Sequence, residues 1–575
     1  MRLNCTKSKN STHYCIIQDI NINGKRTTKV YENIGNYEDF CKRAGTKDPF
    51  EWAKEYIDSL NKAQKEAQLP VLIEKYPTVL IEKDKQRTFN CGYLFLQRLY
   101  YAFGLHKICA EVSSEYKFQY DLHHILSHLL YARIIEPASK YKTYHAIDEF
   151  LFFPRYELQH VYRGLEVIAK KMDYIQAALY KNSQKIRDRK TGVLYYDCTN
   201  YFFEIEEADG LKQYGKSKEN RPTPIVQMGL FMDSDGIPLA FTLTKGNANE
   251  QTTLQPLEKK IIEDFGQEKF VVCTDAGLAS TANRKFNDTN HRRFITTQSI
   301  KKLKKHNREY ALDLTKGWRM HGSDTTYNIA SLRTDDAFIE QHYNTIFYKE
   351  TYLVENGLTQ RLIITYSVKY QEYQRKTRHN QIERAIKLIE SSPTKIGKAK
   401  GNDPKRFIQT TTCTKDGEIA SKNIYTLNET LVDDEARYDG LYAVCTNLDD
   451  DVAEIIKVNH RRWEIEESFR IMKSEFKARP VYLSRDDRIK AHFTTCFLSL
   501  FLLRNLEGML NHEYTVPEII DTLRKMQLTQ DKNNYFPIYK RTDLTDKLHE
   551  VFGFRTDYEI STFQQLNKIF RKTSL

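Results

Sequence analysis

At 575 residues the chain is far longer than one typical domain, so two to four domains are expected and a large core is within reach. Its 88 Lys and Arg against 76 Asp and Glu give a net charge of +12, a moderately basic balance compatible with a polyanionic partner. Ten dispersed cysteines with no C-x-x-C pair exclude a structural zinc site and point to a reducing compartment.

Thr12–Ile20 and Thr27–Gly35 are β-prone segments around Asn23-Gly24, which predicts a small N-terminal hairpin. The opening residues lack the apolar centre of a signal peptide, which places the chain in the cytoplasm. Asp48-Pro49 has the form of a helix start, with Phe50, Ala53, Ile57 and Leu60 continuing at helical spacing, and this first segment is predicted to end near residue 85. From 86 to 189 apolar residues recur at three and four, which predicts an all-α domain that could carry a DNA-reading helix. His124 and His128 stand four apart there, but without a third ligand they read as packing residues.

The stretch 190–300 is the best organised. GVLYYD (192–197) is a strand ending on a carboxylate, Ile225–Met232 and Ile237–Thr244 are two more strands, a helix runs from about 250 to 265, and KFVVCTD (269–275) is a fourth strand ending on a carboxylate. A meander returning through a helix to a strand beside the first would bring Asp197 and Asp275 together. Residues 301–430 read as a β-rich insertion with strong basic clusters: Lys301 to Arg308, Arg375 to Lys387, and Lys395 to Arg406. Beside a phosphate-handling site such runs suit backbone contacts. Asp233 and Asp235 fall in a turn and are assigned no chemistry, and Trp318 reads as core, with base stacking as the alternative. After the insertion GLYAVCTN (440–447) forms another strand, so 431–515 resumes the core and 516–575 is a polar tail. The apolar run Phe493–Leu503 is too short to span a bilayer and predicts a buried helix.

His460 to Phe476 (HRRWEIEESFRIMKSEF) is predicted helical. Arg462, Glu466, Phe469 and Lys473 fall at roughly 0°, 40°, 340° and 20° on the wheel, so one face carries a cation, a carboxylate and a second cation. Glu467 and Glu464, at about 140° and 200°, point away from it. Taken alone the stripe is a solvated salt-bridge pattern. With Asp197 and Asp275 it becomes a ligand set for two hard divalent cations handling phosphate, Mg²⁺ by preference with Mn²⁺ as a substitute, while Arg462 and Lys473 hold DNA phosphates.

YYDCTNYFFE, GKSKENRPTPIVQMGLFMDSDGIPLAFTLTKGNANEQTTL, VVCTDAG and RRWEIEESFRIMK together resemble the catalytic core of bacterial insertion-sequence transposases of the DDE class, more narrowly the IS-four-like group. The resemblance implies a ribonuclease H-like α/β core interrupted by a β-rich insertion, with Asp197, Asp275 and Glu466 as catalytic, metal-holding residues. It also implies a Y-x-x-R-x-x-x-E-x-x-x-x-x-x-K signature met by Arg462, Glu466 and Lys473, with Asn459 at the tyrosine position. The implied function is metal-dependent cleavage and strand transfer at the terminal inverted repeats of an insertion sequence. Double-stranded DNA, a homodimeric synaptic complex and a nucleoid-associated location go with it. The alternatives are a nuclease without strand transfer and a non-catalytic DNA-binding derivative.

Overall fold

The computed structural model describes residues 1–7, 12–22, 25–67, 75–391, 396, 401, 403–413 and 419–575. By contacts it divides into two units, Met1–Lys85 and Gln86–Leu575.

In the first unit, β1 (Arg2–Lys7), β2 (Thr12–Ile22) and β3 (Lys25–Gly35) form an antiparallel sheet. The expected hairpin is present as β2 and β3, while Asn23-Gly24 lies outside the described residues. Helices α1 (Tyr37–Ala44) and α2 (Pro49–Ala67) follow. Asn36 caps α1 by accepting the Asp39 N–H while the Asp39 carboxylate accepts the Asn36 N–H, so two donors of the helix start are satisfied at once. Tyr14, Ile16 and Ile34 of the sheet share a small core with Phe40, Ala53 and Ile57.

The second unit opens with β4 (Thr88–Asn90), then α3 (Tyr93–Ala102), α4 (Leu105–Ser114), α5 (Leu122–Ile135), α6 (Lys140–His145), α7 (Leu158–Lys170) and α8 (Met172–Gln184). These helices do not form a core of their own. Their apolar faces join one continuous core with the sheet and with Phe493, Phe497, Leu500 and Phe501 further along the chain.

Next come β5 (Val193–Phe202), β6 (Ile225–Met232), β7 (Pro238–Lys245), α9 (Leu254–Phe265), β8 (Phe270–Thr274), α10 (Thr281–Phe286) and β9 (Arg292–Thr297). β5 does not stop at Asp197 as the sequence reading expected. It runs five residues further, because CTNYF is itself β-prone and pairs with Ile225 to Gly229 of β6. β5, β6 and β7 are an antiparallel meander, and β8 returns beside β5 in parallel, followed by β9 parallel to β8.

The stretch 301–430 is mixed rather than mainly β. It holds α11 (Lys305–Leu312), β10 (Arg319–Met320), α12 (Ile329–Leu332), α13 (Asp336–Gln341), β11 (Phe347–Glu355), β12 (Leu358–Tyr366), α14 (Val368–Ser391), β13 (Ile408–Cys413), β14 (Ile419–Leu427) and α15 (Glu429–Ala436). β15 (Leu441–Thr446) then pairs with β12 on one side and β9 on the other. The main sheet therefore has nine strands, ordered β10-β11-β12-β15-β9-β8-β5-β6-β7.

Helices α16 (Val452–His460), α17 (Trp463–Ser474) and α18 (Asp486–Met509) complete the layer around that sheet. α18 is buried along most of its length, in keeping with its apolar run. The last segment is folded, not a polar tail. α19 (Val516–Lys525), β16 (Gln527–Asp531), β17 (Asn534–Pro537), α20 (Asp543–Phe552), β18 (Ser561–Thr562) and α21 (Phe563–Thr573) bury Ile519, Leu528, Leu548 and Leu566, and β16 pairs with β4. Among the described residues no helix is long and apolar enough to cross a membrane.

Candidate active site

β5 lies inside the main sheet, and its residues alternate between the two faces. Tyr196 and Cys198 point into the core with Leu254 and Leu257 of α9. Residues 195, 197, 199 and 201 face the other way, toward α16 and α17: the Tyr195 hydroxyl donates to the Val458 carbonyl (3.0 Å) and the Tyr201 hydroxyl to Met472 Sδ (3.7 Å). Asp197 is on this second face. Its parallel neighbour β8 pairs Tyr195 with Cys273, so two residues further along the register sets Asp197 level with Asp275. Asp275 follows the end of β8, where its Oδ1 accepts the N–H groups of Gly277 (2.8 Å) and Leu278 (3.1 Å) in a turn that fixes the carboxylate.

The Asp275 charge acts on Asp197. Burial pushes the Asp197 carboxyl up to about 6, the Asp275 charge adds to the rise, and the Lys218 and Arg462 charges oppose it. Arg462 donates through Nη1 to Thr297 Oγ1 (2.9 Å), and its Nη2 lies 3.8 Å from Glu466 Oε1. Lys473 donates to Thr199 Oγ1 (2.7 Å) and stands 3.5 Å from Glu219. Burial holds its ammonium down to about 8, Lys218 lowers it further, and Asp197 works against both.

Four of the five residues singled out in the sequence thus surround one patch: Asp197, Asp275, Arg462 and Lys473. Glu466 sits at its rim, on the same face of α17, with its side chain 65% exposed and turned to Arg462. Among the described residues, no three His, Cys, Asp or Glu side chains stand close enough to hold one metal ion. The charged stripe is carried by a shorter helix than expected. α16 ends at His460 and α17 begins at Trp463, with Arg462 as its N-cap in helical geometry, so the angular relation of Arg462 to Glu466 and Lys473 survives the break.

Several contributors were not singled out in the sequence. Lys218, in the GKSKENR loop between β5 and β6, donates to the Cys198 carbonyl and lies 3.8 Å from Glu250. Glu219 of the same loop pairs with both Lys473 and Arg479. The lysine-rich loop was the available signal, but nothing in its spacing says that it folds back over Asp197. Asn459 is buried and donates to the Tyr442 hydroxyl (3.0 Å), which shares a hydrogen bond with Thr297 Oγ1 (2.7 Å). A network therefore runs Asn459, Tyr442, Thr297, Arg462, and a tyrosine hydroxyl from β15 stands beside the position where the signature has its own.

The remaining candidates are structural. Trp318 is fully buried in the core around β11 and β12. His128 is buried against Tyr156, and His124 faces Asp121 at 3.1 Å. Asp233 is locked to Arg189 at 2.6 Å, and Asp235 pairs with Arg187 and Lys190. Glu464 pairs with Arg461, and Glu467 with Arg470 and Arg504. In the insertion, Arg378 grips Asp439 with both Nη atoms at 2.6 Å while Arg406 and Lys301 meet Glu435, so these cations support the fold. Lys395, Lys398 and Lys400 lie outside the described residues.

A family model described as "Transposase DDE domain" matches residues 201–502, a stretch that holds Asp275, Arg462, Glu466 and Lys473 and begins four residues after Asp197. The chain belongs to that family. A solved piggyBac transposase synaptic complex with hairpin DNA aligns over 84% of each chain at 7% identity, with a TM-score of 0.35. No curated protein matches.

Proposed function

We propose that the chain is a DNA transposase of the DDE class that cuts and joins strands at the terminal inverted repeats of its own insertion sequence, working as a homodimer that pairs the two ends. The observation that carries this reading is the placement of Asp197 on β5 and of Asp275 just past the end of the parallel β8, beside Arg462 and Lys473 and with Glu466 at the rim. The meander, the crossover helix α9 and the parallel return of β8 support a ribonuclease H-like core. Family membership supports the class.

The donor set fits hard divalent cations. The Asp275 charge helps to raise the Asp197 carboxyl, a strain that a cation between the two would relieve, and oxygen ligands suit Mg²⁺, with Mn²⁺ as a substitute. Asp197 and Asp275 would hold the ions, joined by Glu466 only on a turn of its side chain away from Arg462, and the chemistry such ions would supply is activation of an attacking oxygen and stabilisation of the leaving one. The chain's own cations have separate tasks. Arg462 and Lys473 are each anchored by a threonine hydroxyl, which orients them to grip DNA phosphates, and Lys218 adds positive charge next to Asp197.

The test uses purified chain, Mg²⁺ and duplexes carrying the element's ends. Wild type is expected to cut at those ends. Asp197→Ala, Asp275→Ala and Glu466→Ala are each expected to abolish cutting while changing end binding little. Full activity in any one of them would refute the assignment, and cutting without joining to a target duplex would reduce it to a nuclease.

A further inference from the structure

Past Asp197, the end of β5 is joined by the chain that leaves α17. The Phe202 carbonyl accepts the Val481 N–H (2.9 Å), and Phe203 bridges Val481 in parallel, so the residues around Arg479 run beside the last residues of the strand. The loop between β5 and β6 is tied to the same strand. Asn200 Nδ2 donates to the Lys216 carbonyl (3.2 Å), and Asn200 Oδ1 accepts the Lys218 N–H (3.2 Å). Ser217 Oγ then accepts the N–H groups of Glu219 (3.2 Å) and Arg221 (3.3 Å), which fixes the backbone on which these two side chains stand.

Three cations collect there around one acid. Lys473 Nζ lies 3.5 Å from Glu219 Oε1, and Arg479 Nη1 pairs with that same oxygen. The Arg221 and Arg479 guanidiniums stand 5.0 and 6.0 Å from the centre of the Phe202 ring. Arg221 is exposed, and the side chains of Arg479 and Glu219 are 27% and 25% exposed, so the group is open to an incoming anion.

A carboxylate and a phosphodiester each present a negative charge and two acceptor oxygens to a guanidinium, so a site that binds one suits the other. Lys473 also donates to Thr199, which lies two residues beyond Asp197 on the same face of β5, roughly 7 Å along the strand. A DNA strand with one phosphate at Asp197 therefore brings its neighbouring phosphates towards Lys473 and Arg479. The backbone anchors of the loop do not involve the Glu219 carboxylate, so that group can leave its cations without unmaking the loop. An ion pair this open to water is weak enough to be exchanged.

We propose that Lys473, Arg479 and Arg221 form a second phosphate-binding subsite for the DNA strand, and that the Glu219 carboxylate fills it until DNA arrives. Binding exchanges the carboxylate for a phosphodiester, while Asn200 and Ser217 keep the loop in place. The proposal rests on the reading of the chain as a DNA transposase and extends its grip on DNA past the Arg462, Glu466 and Lys473 signature.

Fluorescence anisotropy with the full-length chain and a duplex of the terminal repeat, run without Mg²⁺ over a range of salt, tests it. Arg479→Ala is expected to weaken binding and to flatten the log–log salt dependence by about one unit. Arg221→Ala, at an exposed position, carries the same expectation should Arg479→Ala fail to fold. Glu219→Gln keeps the shape and removes the competing charge, so it is expected to tighten binding by roughly two- to fivefold, the worth of a partly exposed ion pair. Glu204→Gln removes an equal charge just past the end of β5 without touching that pair, and is expected to change affinity far less. A Glu219→Gln chain that binds no tighter than wild type, or no tighter than Glu204→Gln, overturns the proposal. So does an arginine variant that melts like wild type and keeps its affinity and salt slope. Cutting of the same duplex in Mg²⁺ separates the two readings. A wild-type chain that cuts its ends, yet whose binding ignores these substitutions, leaves the transposase reading standing and removes the subsite. A wild-type chain that neither binds nor cuts the duplex overturns both.

Discussion

Lys218 shows how a site acquires a member that its sequence does not announce. It lies twenty-one residues after Asp197, in a loop without periodicity, yet its charge is the largest electrostatic influence on that carboxyl after burial. Lys218→Ala is expected to slow end cutting roughly tenfold or more, the loss of one charge-assisted contact, with end affinity changed far less. Single-turnover cutting against equilibrium binding separates the two. Arg189 makes the contrasting case of a charge that serves the fold. It and Asp233 are both about 1% exposed, and the guanidinium also bonds Ser183 and the carbonyls of Ile237 and Pro238. Arg189→Ala would leave the Asp233 carboxylate buried and unpaired, which costs about 3–5 kcal/mol by denaturant melting. The positions of Asp275, Arg462, Glu466 and Lys473 at a strand end and along one helical face were legible because strand ends and helical spacing are local patterns. Lys218, Glu219 and Tyr442 were not, because their part depends on how loops and strands close in space.

At the scale of elements, α17 is held at its back as firmly as its front is charged. Arg504 of α18 reaches Glu467 (2.9 Å), Ser468 Oγ (3.0 Å) and Glu507 (2.8 Å), and it is nearly buried. Arg504→Ala is expected to cost about 3–5 kcal/mol by leaving Glu507 uncompensated, and to slow cutting because α17 loses its brace while Asp197 and Asp275 keep theirs. A thermal melt and a cutting assay at a temperature well below the new transition keep the two effects apart. Helices were read well where an apolar stripe was long, as in α2 and α18. The split between α16 and α17 escaped the wheel because the residues on both sides of it keep helical angles. The fold of 516–575 escaped because its buried residues are scattered among short elements, each too brief for a periodic signal.

For the whole molecule, buried titratable groups set the response to acid. Burial depresses His123 to about 4 and His128 to about 3, and lowers His492 and His549 as well. Below about 6.5 such groups take up protons more readily in the unfolded chain than in the fold, so their contribution to stability falls as pH drops through about 6.5. Asp197 and Glu258 act in the opposite sense. Burial raises them to about 6 and about 7, so near pH 5 the folded chain holds two protons that the unfolded chain has released. Denaturant melts between pH 4.5 and 6 are expected to show stability rising with pH, the buried histidines together outweighing the two carboxyls. A flat or falling curve over that range would contradict the arrangement of these groups.

The nine-stranded sheet gives the 301–430 stretch a role that the word insertion hides. β12 is bonded to β15, and β15 is separated from α16 by only a short link, with α17 directly beyond. β10–β12 are thus tied by backbone pairing to the strand that leads into the helices bearing Arg462, Glu466 and Lys473. Cutting that flank away would leave β15 with an open edge, inviting other chains to pair there.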